Sequence, residues 1–315
     1  MMDLCDFFGL RRPKSDPYRS YTGRFFGTMT CVTLLAAATT IAHATAFSDL
    51  TTANAGPSNY SVLGLGGGGY VHSAVDLTNV TVTGNVGVGA GGAIDNQSPS
   101  VITGNVYEAT SGQLTGTGTV KGSVIISAST LSTAVSGADA AASYASSQSK
   151  TQSYTTASLP STITGTAGVN VIDITGNITQ SLTLNGPAGS FFVLNVTGSI
   201  TLTGTESLSL TGGVTSNDVL YNLTEQGNYV ISTTSGTTLD GIFLDATADC
   251  GDGAEFTVDG TLNGELIAAD INLGSGAKLN PQIPNATPEP SSLLLLGTGL
   301  LGLGTAMKRR LIRVG

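Results

Sequence analysis

Four times along the chain a short β-branched run stops at a glycine and restarts on another β-branched residue. Val80-Thr81-Val82-Thr83 leads into Gly84-Asn85 and Val86, and Val101-Ile102-Thr103 into Gly104-Asn105 and Val106. Val120-Lys121 leads into Gly122-Ser123 and Val124, and Ile172-Asp173-Ile174-Thr175 into Gly176-Asn177 and Ile178. The first three of these glycines are 20 and 18 residues apart. That spacing is the length of one solenoid coil rather than of a hairpin pair. Aliphatics alternate with Thr or Ser through 181–184, 191–196, 199–203, 207–211, 230–233, 256–258, 262–267 and 271–273. Period-two alternation places the aliphatics on one side of each strand and the hydroxyls on the other. Glycine and asparagine supply the backbone that tight corners need. The pattern predicts a mainly β chain, an irregular parallel β-helix or solenoid. A β-sandwich uses similar strands with hairpin returns, but the coil-length cadence favours the solenoid.

One segment breaks the β pattern. The alanine- and serine-rich stretch around 130–153 reads as a single long helix, with Leu131, Val135, Ala138 and Ala142 as its inward stripe. Leu159-Pro160 ends the segment, and the helix is expected to lie alongside the solenoid.

Both ends read as targeting segments. Arg11, Arg12, Lys14, Arg19 and Arg24 precede an apolar stretch from Met29 to Ala42, and Ala44-Thr45-Ala46 has the small-x-small pattern of a signal-peptidase site. Cleavage after Ala46 assigns 1–46 to a signal region. At the other end stand Pro288-Glu289-Pro290, an apolar run, and Lys308-Arg309-Arg310. The apolar span 291–307 would be about 25 Å long as a helix, against a hydrocarbon core of roughly 30 Å. The basic stop orients the body outside the cytoplasm. This tail (285–315) resembles the PEP-CTERM sorting signal of exported bacterial proteins. The resemblance implies recognition of Pro288, Glu289 and Pro290 by a processing membrane protease. The span is then transient, and the product ends at the cell surface, in the outer envelope or outside. The exported body is 47–284.

The body resembles the choice-of-anchor A family of bacterial surface proteins. The resemblance rests on Asn59-Tyr60-Ser61-Val62-Leu63-Gly64, on the helical segment, on Phe192-Val193-Leu194-Asn195-Val196 and on Val219-Leu220-Tyr221-Asn222-Leu223. It extends to Thr238-Leu239-Asp240-Gly241-Ile242-Phe243-Leu244-Asp245-Ala246 and Leu262-Asn263-Gly264-Glu265-Leu266-Ile267-Ala268. Leu244-Asp245 stands where that family has alanine-proline, and Gly276-Ala277-Lys278-Leu279 where it has Gly-Glu-Leu-His. The strand-helix-strand layout also resembles the bacterial ice-binding domain family, which implies an irregular β-solenoid with a long helix beside it.

Charge narrows the function. Within 47–284 the only basic residues are Lys121, Lys150 and Lys278, against seventeen Asp and Glu. No basic stripe exists to replace counterions on nucleic acid or on an anionic membrane. Cys250 is the only cysteine in the body, so no disulfide forms within it, and His72 is its only histidine. A zinc site lacks ligands, and a serine triad would have to pass through His72. Gly66-Gly67-Gly68-Gly69 lacks the Lys-Ser/Thr of a phosphate loop and reads as a tight turn.

Three candidate chemistries remain. Asp245, Asp249, Asp252 and Glu255 are weak Ca2+ candidates, in an order that fits neither a helix-loop-helix calcium loop nor a nonapeptide repeat. Glycoside cleavage needs two carboxylates about 5 to 10 Å apart on one face. Most acids here fall at turns, Asp173 being a strand exception, so no catalytic residues are assigned. Thr81, Thr83, Thr183, Thr201 and Thr203 would form outward hydroxyl rows if coils stack in register. The dispersed Tyr60, Tyr70, Tyr107, Tyr221 and Tyr229, with no tryptophan, make a poor sugar platform. The leading expectation is a non-enzymatic surface or matrix protein, structural or adhesive, associated with extracellular polysaccharide and processed by signal peptidase and the sorting protease. The alternatives are an ice-binding protein using threonine rows and a polysaccharide-active enzyme on a β-helix.

Overall fold

The computed structural model describes residues 57–66, 74–225, 229–246 and 256–281. Every strand pairing among them is parallel, in one 17-stranded and one 7-stranded sheet. Each coil visits three faces in turn, which is what a glycine-punctuated repeat of about twenty residues makes possible. Coil Val75–Thr78, Thr81–Val82, Val86–Val88 shows the path. Its third strand lies on face I, its second on face II and its first on face III, the 7-stranded sheet. The coil Ile94–Gln97, Val101–Ile102, Val106–Glu108 stacks on it, and Leu114–Thr115, Thr119–Val120, Val124–Ile126 stacks on that one.

The chain then turns back. Helix α1, Ala128–Ser147, buries Leu131, Ala134, Ala138, Ala141 and Ala145. Those positions recur at steps of three and four, one stripe of the helix. Four of the five are alanines, so the helix lies close against its sheet. Its 20 residues span about 30 Å, or roughly six coil spacings of 4.8 Å. That length carries the chain past most of the stack before the second set of coils begins. The helix starts slightly earlier than expected and stops well short of 153. Gln148 is already extended, and Gln152–Thr155 is a strand paired with Gly168–Thr175. The serines at 147 and 149 and the β-branched Thr151 favour caps and strands over helix interior.

The later coils climb back towards the first. Thr238–Asp245 and Thr261–Ala268 each bend from face II to face I at a glycine, Gly241 (φ 139°) and Gly264 (φ 154°). A Cβ on Gly264 would collide with the Gly241 carbonyl oxygen, so only glycine fits. The final strands, Ile271–Leu273 and Lys278–Asn280, leave their coil without a face I strand. Val62–Gly64, from the start of the body, fills that place, between Thr261–Ala268 and Val86–Val88. The two halves therefore share one coil, and neither completes the stack alone.

Two cores follow. Inside the coils, columns such as Leu182, Leu208, Leu239, Leu262, Leu279, Val82 and Ile102 are buried. Between face I and α1 a second core joins Tyr60, Leu63, Val171, Val193, Leu220, Ile242 and Ile267 to the helix stripe. Asn195 donates to the Ala145 carbonyl (3.1 Å) and Asn222 to Ser146 (3.1 Å), tying the helix C-terminus to the sheet. No described helix is long and apolar enough to cross a membrane; the tail 285–315 lies outside the described residues.

Candidate surface-binding faces

Faces II and III carry the outward polar columns, and their chemistry differs. On face III the register Ile200↔Ile231↔Phe256↔Ile271↔Val75↔Ile94 is unbroken, and the next column outward reads Thr201, Ser232, Thr257, Asn272, Asp76, Asp95, Thr115. Inward residues flank that column on both sides and are almost all fully buried, which pins each outward Cβ to the same height. Among the described residues Thr201, Ser232, Thr257 and Asn272 make no side-chain hydrogen bond, so their polar groups point to water.

Face II is self-satisfied in only one of its two outward columns. Its register aligns Ser207, Thr238, Thr261, Lys278, Thr81, Val101 and Thr119 in one column. The neighbouring column is laced together: Asn280 donates to Asn263 (3.1 Å), Asn263 to Asp240 (2.8 Å), and Thr183 bonds Ser209 (3.0 Å). Burial raises the Asp240 carboxyl above its ordinary range, and the Asn263 bond partly offsets this. A lysine and a valine interrupt the hydroxyls.

The predicted threonines separate accordingly. Thr81, Thr83 and Thr183 belong to face II; Thr201 and Thr203 belong to face III. They do not form one row. Thr203 is also engaged by Glu206, whose carboxylate accepts from the Thr203 backbone N–H at 2.7 Å. The rows that do form include Ser207, Thr238, Thr261, Ser232 and Thr257, none of which stands out by itself among the threonines and serines of the sequence. Their signal was present: Thr238-Leu239-Asp240-Gly241 and Thr261-Leu262-Asn263-Gly264 are one motif repeated, and superposing the two puts both threonines in one column.

Apart from Asp76 and Asp95, register neighbours in the outward column of face III, the carboxylates are dispersed. Asp245 is wholly buried on the inward side of its strand, in register with Leu223. Asp249, Asp252 and Glu255 lie outside the described residues, as do His72, Cys250, Tyr70, Ala44, Ala46, Pro288, Glu289 and Pro290. Among the described residues no three His, Cys, Asp or Glu side chains are grouped to hold a metal ion. Asp173 is paired, with Lys150 at 3.7 Å and with Asn195 as donor at 3.3 Å. Glu265 is buried on the helix face with one carboxylate oxygen unbonded, and burial pushes its pKa well up. Tyr60 and Tyr221 are core residues. Tyr60 meets Tyr107 edge-on at 5.4 Å, and burial lifts its hydroxyl to about 12; Tyr221 stacks on Phe243 at 4.6 Å. Tyr229, 59% exposed, stands alone on the surface. A shallow cavity of about 330 Å3 lies between α1 and face I, lined by Asp139, Ser143, Ser146, Asn222 and Thr224, without an aromatic wall.

Residues 71–277 match the family described as Ice-binding-like, and residues 286–310 match the PEP-CTERM protein-sorting motif. Among solved structures, an ice-binding protein (LeIBP) from Arctic yeast aligns at 15% identity and a TM-score of 0.44, over 73% of this chain and 94% of that one. One from the Antarctic ascomycete Antarctomyces psychrotrophicus aligns at 17% and 0.47, over 72% and 96%. One from an Antarctic bacterium of the Flavobacteriaceae aligns at 15% and 0.49, over 73% and 48%. No curated protein matches the chain.

Proposed function

The chain belongs to the ice-binding-like family, and from that premise we propose that the exported body binds ice, or the ordered water at its surface, through face III. The observation that carries this reading is the in-register column Thr201, Ser232, Thr257, Asn272. Its polar groups are unbonded and repeat at the coil spacing of about 4.8 Å. Short side chains with free hydroxyls and exposed methyls on a rigid sheet can order a water layer without reorganising. One column of face II has its amides and hydroxyls bonded to one another, the other is interrupted by Lys278 and Val101, and Lys121 also projects from the face. No bond-breaking step is part of this reading.

The test compares the two faces. Thr257→Tyr, on face III, should abolish thermal hysteresis and ice-recrystallisation inhibition while leaving the melting temperature within a few degrees. Thr238→Tyr, on face II, should leave both activities intact. Absence of activity in the unmodified protein, or its loss through face II alone, overturns the proposal.

A surface or matrix role is supported by the PEP-CTERM motif at 286–310, which implies export and processing outside the cytoplasm. In this reading signal peptidase acts after Ala46 and a membrane protease acts at Pro288-Glu289-Pro290, and the body then stays with the envelope or the polysaccharide around the cell. The choice-of-anchor A likeness belongs to the same reading. An ice-binding surface held at the cell or in its matrix satisfies both. Replacing Pro288-Glu289-Pro290 by alanines should leave unprocessed protein in the inner membrane.

A further inference from the structure

The two ends of the stack are finished differently. At one end Leu159 is buried in the coil core and Tyr154 packs partly against it, with the 3-10 turn Thr156–Ser158 between them. At the other end the last coil, 109–127, has nothing above it among the described residues. Its three strands pair only downward, with Ile94–Gln97, Val101–Ile102 and Val106–Glu108. The registers Val124↔Val106 and Val120↔Ile102 continue buried columns, so the side chains of this coil that point into the core are left uncovered. Val124 is 48% and Ile126 58% exposed, two of the three exposed large hydrophobics in the described structure. Here an open apolar core and a row of unpaired edge backbone coincide, the condition under which strands recruit further strands.

We propose that this open end is the interface of a symmetric dimer, occupied by the same end of a second copy. Charge selects that occupant. The chain carries a net −9, yet from Ala109 to Ser127 the only charged residue is Lys121, so two such ends meet without the acidic repulsion that separates the rest of the surface. Symmetry places the lysines apart. A two-fold axis perpendicular to the stack and through face I lays Val124–Ile126 antiparallel on its copy and sets face II of each molecule over face III of the other. Lys121 then lies over Leu114–Thr115 of the second copy, where Asp95 is the register neighbour of Thr115 one coil below. The contact is hydrophobic at its centre and oppositely charged at its margin, and it joins the core columns of two solenoids into one. It leaves faces II and III of both molecules open and is independent of what face III binds.

The experiment is sedimentation velocity on the processed protein over a range of concentrations. Alongside it runs the double variant Val124→Lys/Ile126→Lys, which alters exposed side chains only and should keep the circular-dichroism spectrum and melting midpoint of a folded body. A concentration-dependent dimer in the unmodified protein, reduced to monomer in the variant and weakened by Lys121→Glu, is the expected result. A monomer at every concentration overturns the proposal, as does a dimer that survives the double variant. A protein that dimerises only after removal of residues 47–56 also overturns it, because the end would then be covered by the body's own amino-terminal segment.

Discussion

Face I and face III belong to the same coils and are built inward alike, yet outward they share nothing. On face I the outward residues Val171, Val193, Leu220, Ile242 and Ile267 are buried beneath α1. On face III the outward residues of the same turns of chain, Thr201, Ser232 and Thr257, meet water. The coil itself is held by its inward columns and its parallel hydrogen bonds. What stands outward is decided by what covers it: a helix of alanines requires aliphatics, and solvent accepts hydroxyls. The covered face therefore carries stability that the open face does not, and the two can be perturbed one at a time.

Placing the same charge on each face gives the largest expected contrast. Leu220→Asp buries a carboxylate between face I and α1 with no partner, and should cost more than about 4 kcal/mol or prevent folding. Ser232→Asp on face III should move stability by less than about 0.5 kcal/mol. Urea unfolding of the two variants measures the difference, and equal effects would mean that α1 is not seated on face I.

Next in size is the corner where face II passes into face I. Gly264→Ala meets both a positive φ and the Gly241 carbonyl, so it should lose about 3 kcal/mol or more in the same assay. Little change would mean that the bend is softer than its geometry implies.

The smallest effect is the pH dependence of the helix face. Unfolded, the Glu265 carboxyl titrates near its ordinary 4.5; folded, burial makes it hold its proton to higher pH. The native state therefore binds more protons across that interval. Stability should fall as pH rises above about 4.5, by at most about 1.4 kcal/mol per pH unit, until the folded group also ionises. Glu265→Gln should flatten this slope, and an unchanged slope would assign it to other groups.

Much of the fold was legible because its physics is local. Val-Thr alternation, Gly-Asn corners and the coil-length spacing of Gly84, Gly104 and Gly122 specify stacked parallel strands without any long-range information. The helix was legible from alanine content and its three-four stripe, but its end was not. The five threonines were legible as exposed strand residues and no further. Which face a threonine joins depends on how many residues each corner consumes, and corners such as 212–218 vary. The repeated Thr-Leu-Asp/Asn-Gly segment was the one local clue to a true column.

By itself, then, the sequence determined the coil, the helix, the inward columns and the acidic, lysine-poor surface, because each follows from periodicity or composition within a few residues. Only the tertiary structure decided that Val62–Gly64 completes a coil begun by Ile271–Leu273, that α1 covers face I, and which outward residues line up on face II and which on face III. Those outcomes depend on register between segments up to two hundred residues apart, and register is fixed by packing the whole stack.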